Sequence, residues 1–574
     1  MENILKLYSL FTKSRRKNFY FLIFLSLMGN LVEICSIGLL IPLVSSFSGD
    51  VSMINNIFEK LSLNNDVLNF LNFKNTILFL LAVYVLKFIF LISFAYFKNN
   101  FFFSFQLELI NKLFTSYVNR KYLFHVTNNS AKIIKDFSEE VHHLTIGYMG
   151  SVINIITEIM LIILLIGFLL FLQTNTTIIV LIITALISYT IFSVLKKKIS
   201  SLGVDRENYN YNNLKNIIQA LGGIKEIKIF QKENEIVNNF KVNSAKLQNV
   251  NWLISFYNDI PKIFFELIAV CSFLVILYLF VNLGYSFSII ISYFVIIFAI
   301  FIRVMPSTNK LLVSLVNATV NKKSVTVIYD ELKQDSIMNK TNTITNDPEI
   351  SFNSKIEIQN LSFKYGPEEK NIIQNVNLHI NKGEIIGVIG ETGSGKTTFV
   401  DLLIGLLEPT EGNIISDGRN IKLNKTHWFK KIGYVPQNIY LNDESIKSNI
   451  AFTTNMKLID ENKVIDAAKK SKLLKLVQNK KNKLDFRVGE RGNMLSGGQK
   501  QRLGIARALY NKSEILVLDE FTSALDEITE NEIMNEISLL KGEKTIILST
   551  HKSSILKYCD KIFDVKNNKM VKNI

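Results

Sequence analysis

Cysteine is scarce in this chain, with only Cys35, Cys271 and Cys559 in 574 residues. They form neither a CxxC pair nor a framework of paired spacings, which excludes a disulfide-stapled secreted fold. Arginine is sparse too, at ten of the 65 basic residues, and no basic run is interleaved with base-stacking aromatics. The formal charge of +16, from 65 Lys+Arg against 49 Asp+Glu, therefore reads as a lysine-rich composition plus membrane topology, and no nucleic-acid partner is expected. Charged residues make up 20% of the chain, hydrophobic residues 48%, and the mean hydropathy is +0.23. Such values are the average of two unlike halves, one lipid-soluble and one ordinary α/β, in a chain of roughly three to four domain equivalents. A wholly disordered or collagen-like chain is excluded.

Crossing about 30 Å of hydrocarbon takes roughly 20 apolar residues in a helix, and the first 310 residues supply that length repeatedly. Six spans are predicted: Phe19 to Ser46, Thr76 to Phe97, Val152 to Leu172, Ile178 to Leu195, Ile263 to Val281 and Phe287 to Met305. The first follows KSRRK but is too long for a signal peptide, contains Glu33 and has no small-residue cleavage site, so it is expected to remain. The loops QTNTT and NLGYS contain no Lys or Arg, whereas Arg15, Arg16, Lys17, Lys98, Lys112, Arg120, Lys121, Lys196 to Lys198 and Arg206 lie on the other side. Both termini are accordingly expected in the cytoplasm, with the loops Lys98 to Gly150 and Lys196 to Asn251 projecting inward as helical extensions bent at TNNSAKI and ALGGIKE. Outside, Ile54, Ile57, Phe58 and Leu61 recur at helical spacing, which predicts a short amphipathic helix over about 51–64.

From Ser351 the texture changes to short β-rich runs alternating with amphipathic helices, the pattern of an α/β domain with a mainly parallel core. In GEIIGVIGETGSGKTTFVDLLIGL an apolar strand runs into Gly390, Glu391, Thr392, Gly393, Ser394, Gly395, Lys396, Thr397 and Thr398, and then a helix. Glycines let backbone N–H groups face phosphates, Lys396 reaches the β and γ phosphates, and Thr397 holds Mg²⁺. Downstream, the strand EILVLDE ends in two acids: Asp519 is expected to bind Mg²⁺ and Glu520 to polarise the attacking water. About twenty residues earlier, Leu495, Ser496, Gly497, Gly498 and Gln499 open another helix with small residues and free N–H groups, a second phosphate site. One chain cannot easily use both on one nucleotide, so a partner must complete the site.

With these motifs the chain resembles the ATP-binding cassette (ABC) exporters, in the half-transporter arrangement of one membrane domain and one nucleotide-binding domain. The resemblance implies an α-helical membrane domain over 1–320 with long cytoplasmic extensions, a polar linker over 321–350 and an α/β P-loop ATPase over 351–574, with ATP and Mg²⁺ as cofactors. It further implies that Tyr365 stacks on adenine, that Gln437 is the Q-loop residue and joins Thr397 and Asp519 around Mg²⁺, and that Val488 to Gly492 is the exporter X-loop. Ser523, Ala524, Leu525 and Asp526 match the D-loop, and His551 the switch histidine on the γ-phosphate. Phe521 departs from the family pattern, which commonly has Ala there; altered packing without lost chemistry is expected. RVMPSTNK, DIPKIFFE, VPQNIYL and the external amphipathic helix resemble bacterial lipid-linked oligosaccharide flippases of the PglK type, relatives of the lipid A flippase.

Ionisable groups at mid-span cost about 2.5 to 3.5 kcal/mol or more, so Glu33, Lys87, Glu158, Lys262, Glu266 and Arg303 each need a cavity, a partner or a function. On the functional reading Lys87, Lys262 and Arg303 line one pathway for a pyrophosphate head group. On a purely structural reading Lys87 snorkels, Lys262 and Arg303 sit near the cytoplasmic interface, and the acids pair with them. The expected function is ATP-driven flipping of a lipid-linked oligosaccharide across a bacterial inner membrane by a homodimer with cytoplasmic ATPase domains. Export of another lipid, a peptide or a drug is the alternative; no cysteine-protease domain precedes the spans, which argues against the peptidase-containing exporters. A non-transporting cassette channel or regulator is a reading from a different class.

Overall fold

The apolar runs of the first half become long helices because a bilayer offers the backbone no other hydrogen-bonding partner. The computed structural model describes residues 2–40, 43, 73–172, 175–282, 287–339, 349–477, 483–522, 525–566 and 568–572. Residue contacts divide the chain into two units, Met1–Arg120 with Asn128–Thr341, and Lys121–Thr127 with Asn342–Ile574.

The first unit contains α1 (Glu2–Leu10), α2 (Lys13–Gly38) and α3 (Phe73–Asn119). After α4 (Tyr122–Thr127), which belongs to the second unit, it continues with α5 (Ser130–Lys135), α6 (Gly150–Leu172), α7 (Asn175–Gly222), α8 (Ile224–Ile229), α9 (Glu233–Asn282), α10 (Phe287–Val320) and α11 (Lys322–Asn339). Helices thus run through five of the six expected spans and through the first as far as Gly38, its end lying outside the described residues. At 47, 48 and 50 residues, α3, α7 and α9 reach about 70 to 75 Å, far beyond the hydrocarbon thickness, so a large part of each stands outside the membrane. The expected external helix over 51–64 lies outside the described residues.

In this bundle Ile199, Leu202, Val250, Ile254, Tyr257, Val316 and Val320 pack α7, α9 and α10 into one buried cluster. Gly203 permits the closest approach, since a Cβ there would stand 2.5 Å from the Val320 carbonyl oxygen. The stretch between α5 and α6 is wound as two π-helical segments, Asp136–Glu140 and His143–Met149. It carries buried charge that is paired: Tyr117 Oη donates to Asp136 at 3.0 Å, and Lys135 lies 3.0 Å from Glu207 and 3.4 Å from Glu140. Burial pushes the Asp136 carboxyl up to about 6. The region expected as linker from 321 is helical to Asn339, because Val325 and Ile328 are buried and Glu331 takes Arg120 at 2.7 Å.

The second unit is built on two sheets. β1 (Lys355–Phe363), β2 (Ile373–Asn381), β4 (Glu411–Ser416) and β5 (Arg419–Asn420) form an antiparallel sheet in the order β2-β1-β4-β5. β3 (Ile385–Gly390), β6 (Ile432–Val435), β7 (Ile515–Asp519), β8 (Thr545–Ser549), β9 (Lys561–Lys566) and β10 (Lys569–Lys572) form the other, ordered β10-β9-β3-β8-β7-β6 and parallel except for β10. β7 and β8 are buried at every residue, which is why they read as unbroken apolar runs. Against the sheets lie α12 (Lys396–Leu403), α13 (Gly497–Tyr510) and α14 (Glu527–Ser538). The short α4 joins this unit: Leu123 packs on its core and Lys121 pairs with Glu408 at 2.8 Å.

Candidate nucleotide site and charged clusters of the spans

The register of three neighbouring parallel strands assembles the site. Val388 on β3 lies opposite Ser549 on β8, which lies opposite Asp519 on β7. The phosphate loop, the two acids and the segment leading to His551 therefore all leave the same carboxyl-terminal edge, where open α/β sheets bind ligands. Between β3 and α12 the backbone turns through positive φ at Gly390 (151°), Gly393 (83°) and Gly395 (102°). A Cβ on Gly395 would come within 2.9 Å of Ile372 Cγ2, whereas one on Gly393 would meet nothing within 4 Å. The loop thus keeps an open concave face of the kind that cradles phosphate. Lys396 is buried and its Nζ donates to the carbonyls of Gly390 at 2.9 Å and Glu391 at 3.0 Å, bracing the loop from within.

Asp519 is buried, and among the described residues no hydrogen bond of good geometry reaches either of its carboxylate oxygens. Burial raises its pKa, opposed by the hydroxyls of Ser549 and Thr397 beside it. A buried carboxylate in want of a partner, next to a Thr hydroxyl, is a donor set of hard oxygens that fits Mg²⁺. Among the described residues no group of three His, Cys, Asp or Glu could hold an ion alone, so phosphate and water oxygens would supply the other ligands. Glu520 follows with φ of 45°, a left-handed conformation that costs a non-glycine residue on the order of 1–3 kcal/mol. That turn aims its carboxylate into the site: Oε2 accepts from Gln437 Nε2 at 2.7 Å and Oε1 lies 3.6 Å from Lys396 Nζ.

Tyr365 makes an edge contact with Phe363, and its Oη is 3.1 Å from Thr398 Oγ1, tying the strand-end aromatic to the phosphate-loop helix. His551 is exposed just beyond β8. Ser496 is the N-cap of α13 and forms a capping box with Gln499, at 3.4 and 3.2 Å. The residues read as a second phosphate site thus also stabilise their own helix, and Gly497 stays exposed at its start. Asp526 caps α14 through Thr529 N at 3.0 Å, Leu525 is buried, and Ser523 and Ala524 lie outside the described residues. In Val488 to Gly492 the chain is held by Val488 N donating to Glu444 O at 3.0 Å. Phe521 is buried in the core beside Ile385, Leu518 and Leu548, so its bulk is absorbed by packing. One acid of the site lies outside the sequence motifs: Asp401, buried on α12 four residues after Thr397, has its pKa raised to about 6 by burial and by Asp519. That spacing, one helical turn from a phosphate-loop residue, was the available signal.

In the membrane unit, Lys87 of α3 and Arg303 of α10 meet on one acid of α2: Glu33 lies 3.1 Å from Lys87 Nζ and 2.7 Å from Arg303. Lys87 also donates to Ser36 Oγ at 3.2 Å. Arg303 Nε is buried without a hydrogen-bond partner among the described residues. Lys262 and Glu266 are exposed on α9, with no ion pair among the described residues, and neither joins the Glu33 cluster. The buried Glu158 pairs with Lys310 at 2.5 Å.

Comparison with known proteins follows the same division. A family profile described as "ABC transporter transmembrane region" matches residues 19–305, and one described as "ABC transporter" matches residues 373–523. The chain is 24% identical over 483 residues to an ATP-dependent lipid A-core flippase of Ralstonia nicotianae, covering 81% of this chain and 78% of that one. It is 36% identical over 225 residues to the leukotoxin export ATP-binding protein LtxB of Aggregatibacter actinomycetemcomitans, covering 39% of this chain but only 31% of that relative. Its fold superimposes on the structure of a bacterial Atm1-family ABC exporter with ATP bound, with a TM-score of 0.75 over 97% of this chain and 94% of the other at 19% identity.

Proposed function

Because the chain belongs to the ABC transporters, as an exporter whose ATP hydrolysis is coupled to transport, we propose that it flips a lipid-linked oligosaccharide, a polyprenyl diphosphate glycan, across a bacterial inner membrane. The observation that carries this reading is the meeting of Lys87 and Arg303 on the single carboxylate of Glu33. Two cations and one acid leave one positive charge within the spans, and the buried Arg303 Nε still seeks an acceptor. A phosphate oxygen satisfies both, by a charge-assisted hydrogen bond that is strongest where water is excluded. The relative from Ralstonia is named as a flippase of a lipid, which supports a lipid substrate here. Lys262, exposed on α9 and without an ion pair among the described residues, is the third cation of the proposed pathway.

In the ATPase domain, Tyr365 stacks on adenine, the loop Gly390 to Thr398 holds the phosphates, and Thr397, Asp519 and Gln437 would hold Mg²⁺. Glu520 orients and polarises the attacking water, and His551 contacts the γ-phosphate. Leu495 to Gln499, with Ser523 and Asp526, complete the site of a second copy. The working form is a homodimer with both termini in the cytoplasm, and the membrane and ATPase domains span 1–320 and 351–574. The experiment that tests the substrate is translocation of a fluorescent polyprenyl diphosphate glycan by the purified protein in liposomes. Movement that needs ATP and is lost in the Lys87→Ala/Lys262→Ala/Arg303→Ala variant is expected; movement at the wild-type rate in that variant, shown to be folded by its elution profile, overturns the reading.

A further inference from the structure

The charges of the membrane helices come in two tiers, and the function proposed above uses only one. Lys98 follows Lys87 by eleven residues on α3, and Lys310 follows Arg303 by seven on α10, about 16 and 10 Å along the helices. In the proposed topology α3 and α10 run inward, which puts both on the cytoplasmic side of the first pair. They converge on one face of α6: Lys98 Nζ donates to Asn154 Oδ1 at 2.8 Å and Lys310 Nζ to Glu158 Oε1 at 2.5 Å. Asn154 and Glu158, four residues apart, are neighbours on that helix. The Lys98 ammonium lies in the fields of both Lys310 and Glu158. A buried bond from Asn30 Nδ2 to the Thr157 carbonyl at 2.9 Å fastens α2 to α6 beside the second cluster.

The second cluster repeats the composition of the first, two cations to one carboxylate. Lys98 is half-buried and its one direct bond among the described residues is to a neutral amide. A cation so placed gains most from an anion that can reach it. Glu158 Oε2, meanwhile, is buried without a hydrogen-bond donor among the described residues. A group bearing both a phosphate and hydroxyls answers both needs, the phosphate at Lys98 and Lys310 and a hydroxyl at Glu158. We propose that Lys98, Lys310, Asn154 and Glu158 form a second anion site, cytoplasmic to Lys87 and Arg303, where the phosphate of a glycosylated head group is held before it enters the mid-membrane pair. This deepens the flippase reading and rests on it. Two sites spaced along one path, each with a single excess charge, let an anion enter without being trapped, as multi-site conduction requires.

The test is equilibrium binding to the purified full-length protein with its nucleotide sites filled by saturating MgADP. The probes are inorganic pyrophosphate, farnesyl diphosphate and uncharged farnesol. The wild type is expected to take two diphosphates per chain and to ignore farnesol. Lys98→Ala/Lys310→Ala should keep one, Lys87→Ala/Arg303→Ala should keep the other, and Lys98→Arg/Lys310→Arg should keep both. If the alanine pair fails to fold, single Lys98→Gln decides, with binding at this site weakened at least tenfold. Two diphosphates still bound by the Lys98→Ala/Lys310→Ala protein, or fewer than two bound by the wild type, overturns the site. Pyrophosphate bound twice and lost with the Lys98/Lys310 pair, while farnesyl diphosphate does not bind, upholds the anion site and overturns the lipid reading on its own.

Discussion

Replacing Glu520 by glutamine separates binding from chemistry at the nucleotide site. The amide is nearly isosteric, so its oxygen still accepts from Gln437 Nε2, now at 2.7 Å from Glu520 Oε2, and the left-handed turn at φ of 45° is unaltered. What is lost is the negative charge proposed above to polarise water, and with it an attraction to Lys396 Nζ at 3.6 Å. A positioned general base contributes about 10²- to 10⁴-fold, so hydrolysis should fall by that factor, about 2.7 to 5.4 kcal/mol on the barrier. Removal of a negative charge from the phosphate region should not weaken ATP binding, since a carboxylate there repels the γ-phosphate and the amide does not. The assay is steady-state phosphate release by the purified variant beside retention of labelled ATP after rapid gel filtration. Slow release with undiminished retention is expected. Hydrolysis within threefold of wild type would remove Glu520 from the role given to it, and loss of ATP retention would show that it supports the fold of the site instead.

Three further outcomes follow from other parts of the molecule. Arg120 and Glu331 have side chains only 3% and 10% exposed, and Arg120→Ala leaves the buried carboxylate with only Lys132, 2.9 Å from its other oxygen, so the loss should be up to about 3–5 kcal/mol, read as a lowered apparent melting temperature; a change under 1 °C would show that Lys132 alone suffices. Asp401, whose pKa is raised to about 6 from 3.8, contributes stability that is fully present below about pH 4 and lost as pH rises through 6; Asp401→Asn should therefore raise the nucleotide-free melting temperature at pH 7.5, by an amount that shrinks toward pH 4, and a pH-independent difference would contradict the assignment. Mixing Lys396→Ala chains with Ser496→Arg chains puts both lesions in one site of the mixed dimer and leaves the other whole, so nucleotide binding should recover over either variant alone; no recovery would end the shared-site model.

The ATPase domain was legible because its chemistry is written in contiguous residues. A run of glycines before Lys396 forces the positive φ values seen at Gly390, Gly393 and Gly395, and an apolar strand ending in Asp519 and Glu520 has one place to go in a parallel sheet. Helix α11 was hidden by its polar residues: its helical state depends on Val325 and Ile328 finding a core and Glu331 finding Arg120, 211 positions away. The charge pairs of the spans were hidden for the same reason. That Glu33, Lys87 and Arg303 are ionisable groups in apolar helices is plain from the chain, but that one carboxylate serves both cations depends on how α2, α3 and α10 pack. Ser496 shows the reverse limit, since a motif read for its ligand also carries the capping box that holds its own helix.

The central claim is that ATP hydrolysis by this exporter moves a lipid diphosphate past Lys87 and Arg303. Its most direct measurement is leaflet-resolved translocation of a fluorescent polyprenyl diphosphate glycan in proteoliposomes, with the dephosphorylated polyprenol glycoside as the matched uncharged lipid. The account predicts ATP-dependent movement of the diphosphate, none of the uncharged lipid, and none of either by Glu520→Gln. Equal movement of both lipids, or movement of the diphosphate at the wild-type rate by folded Lys87→Ala/Arg303→Ala protein, would contradict it.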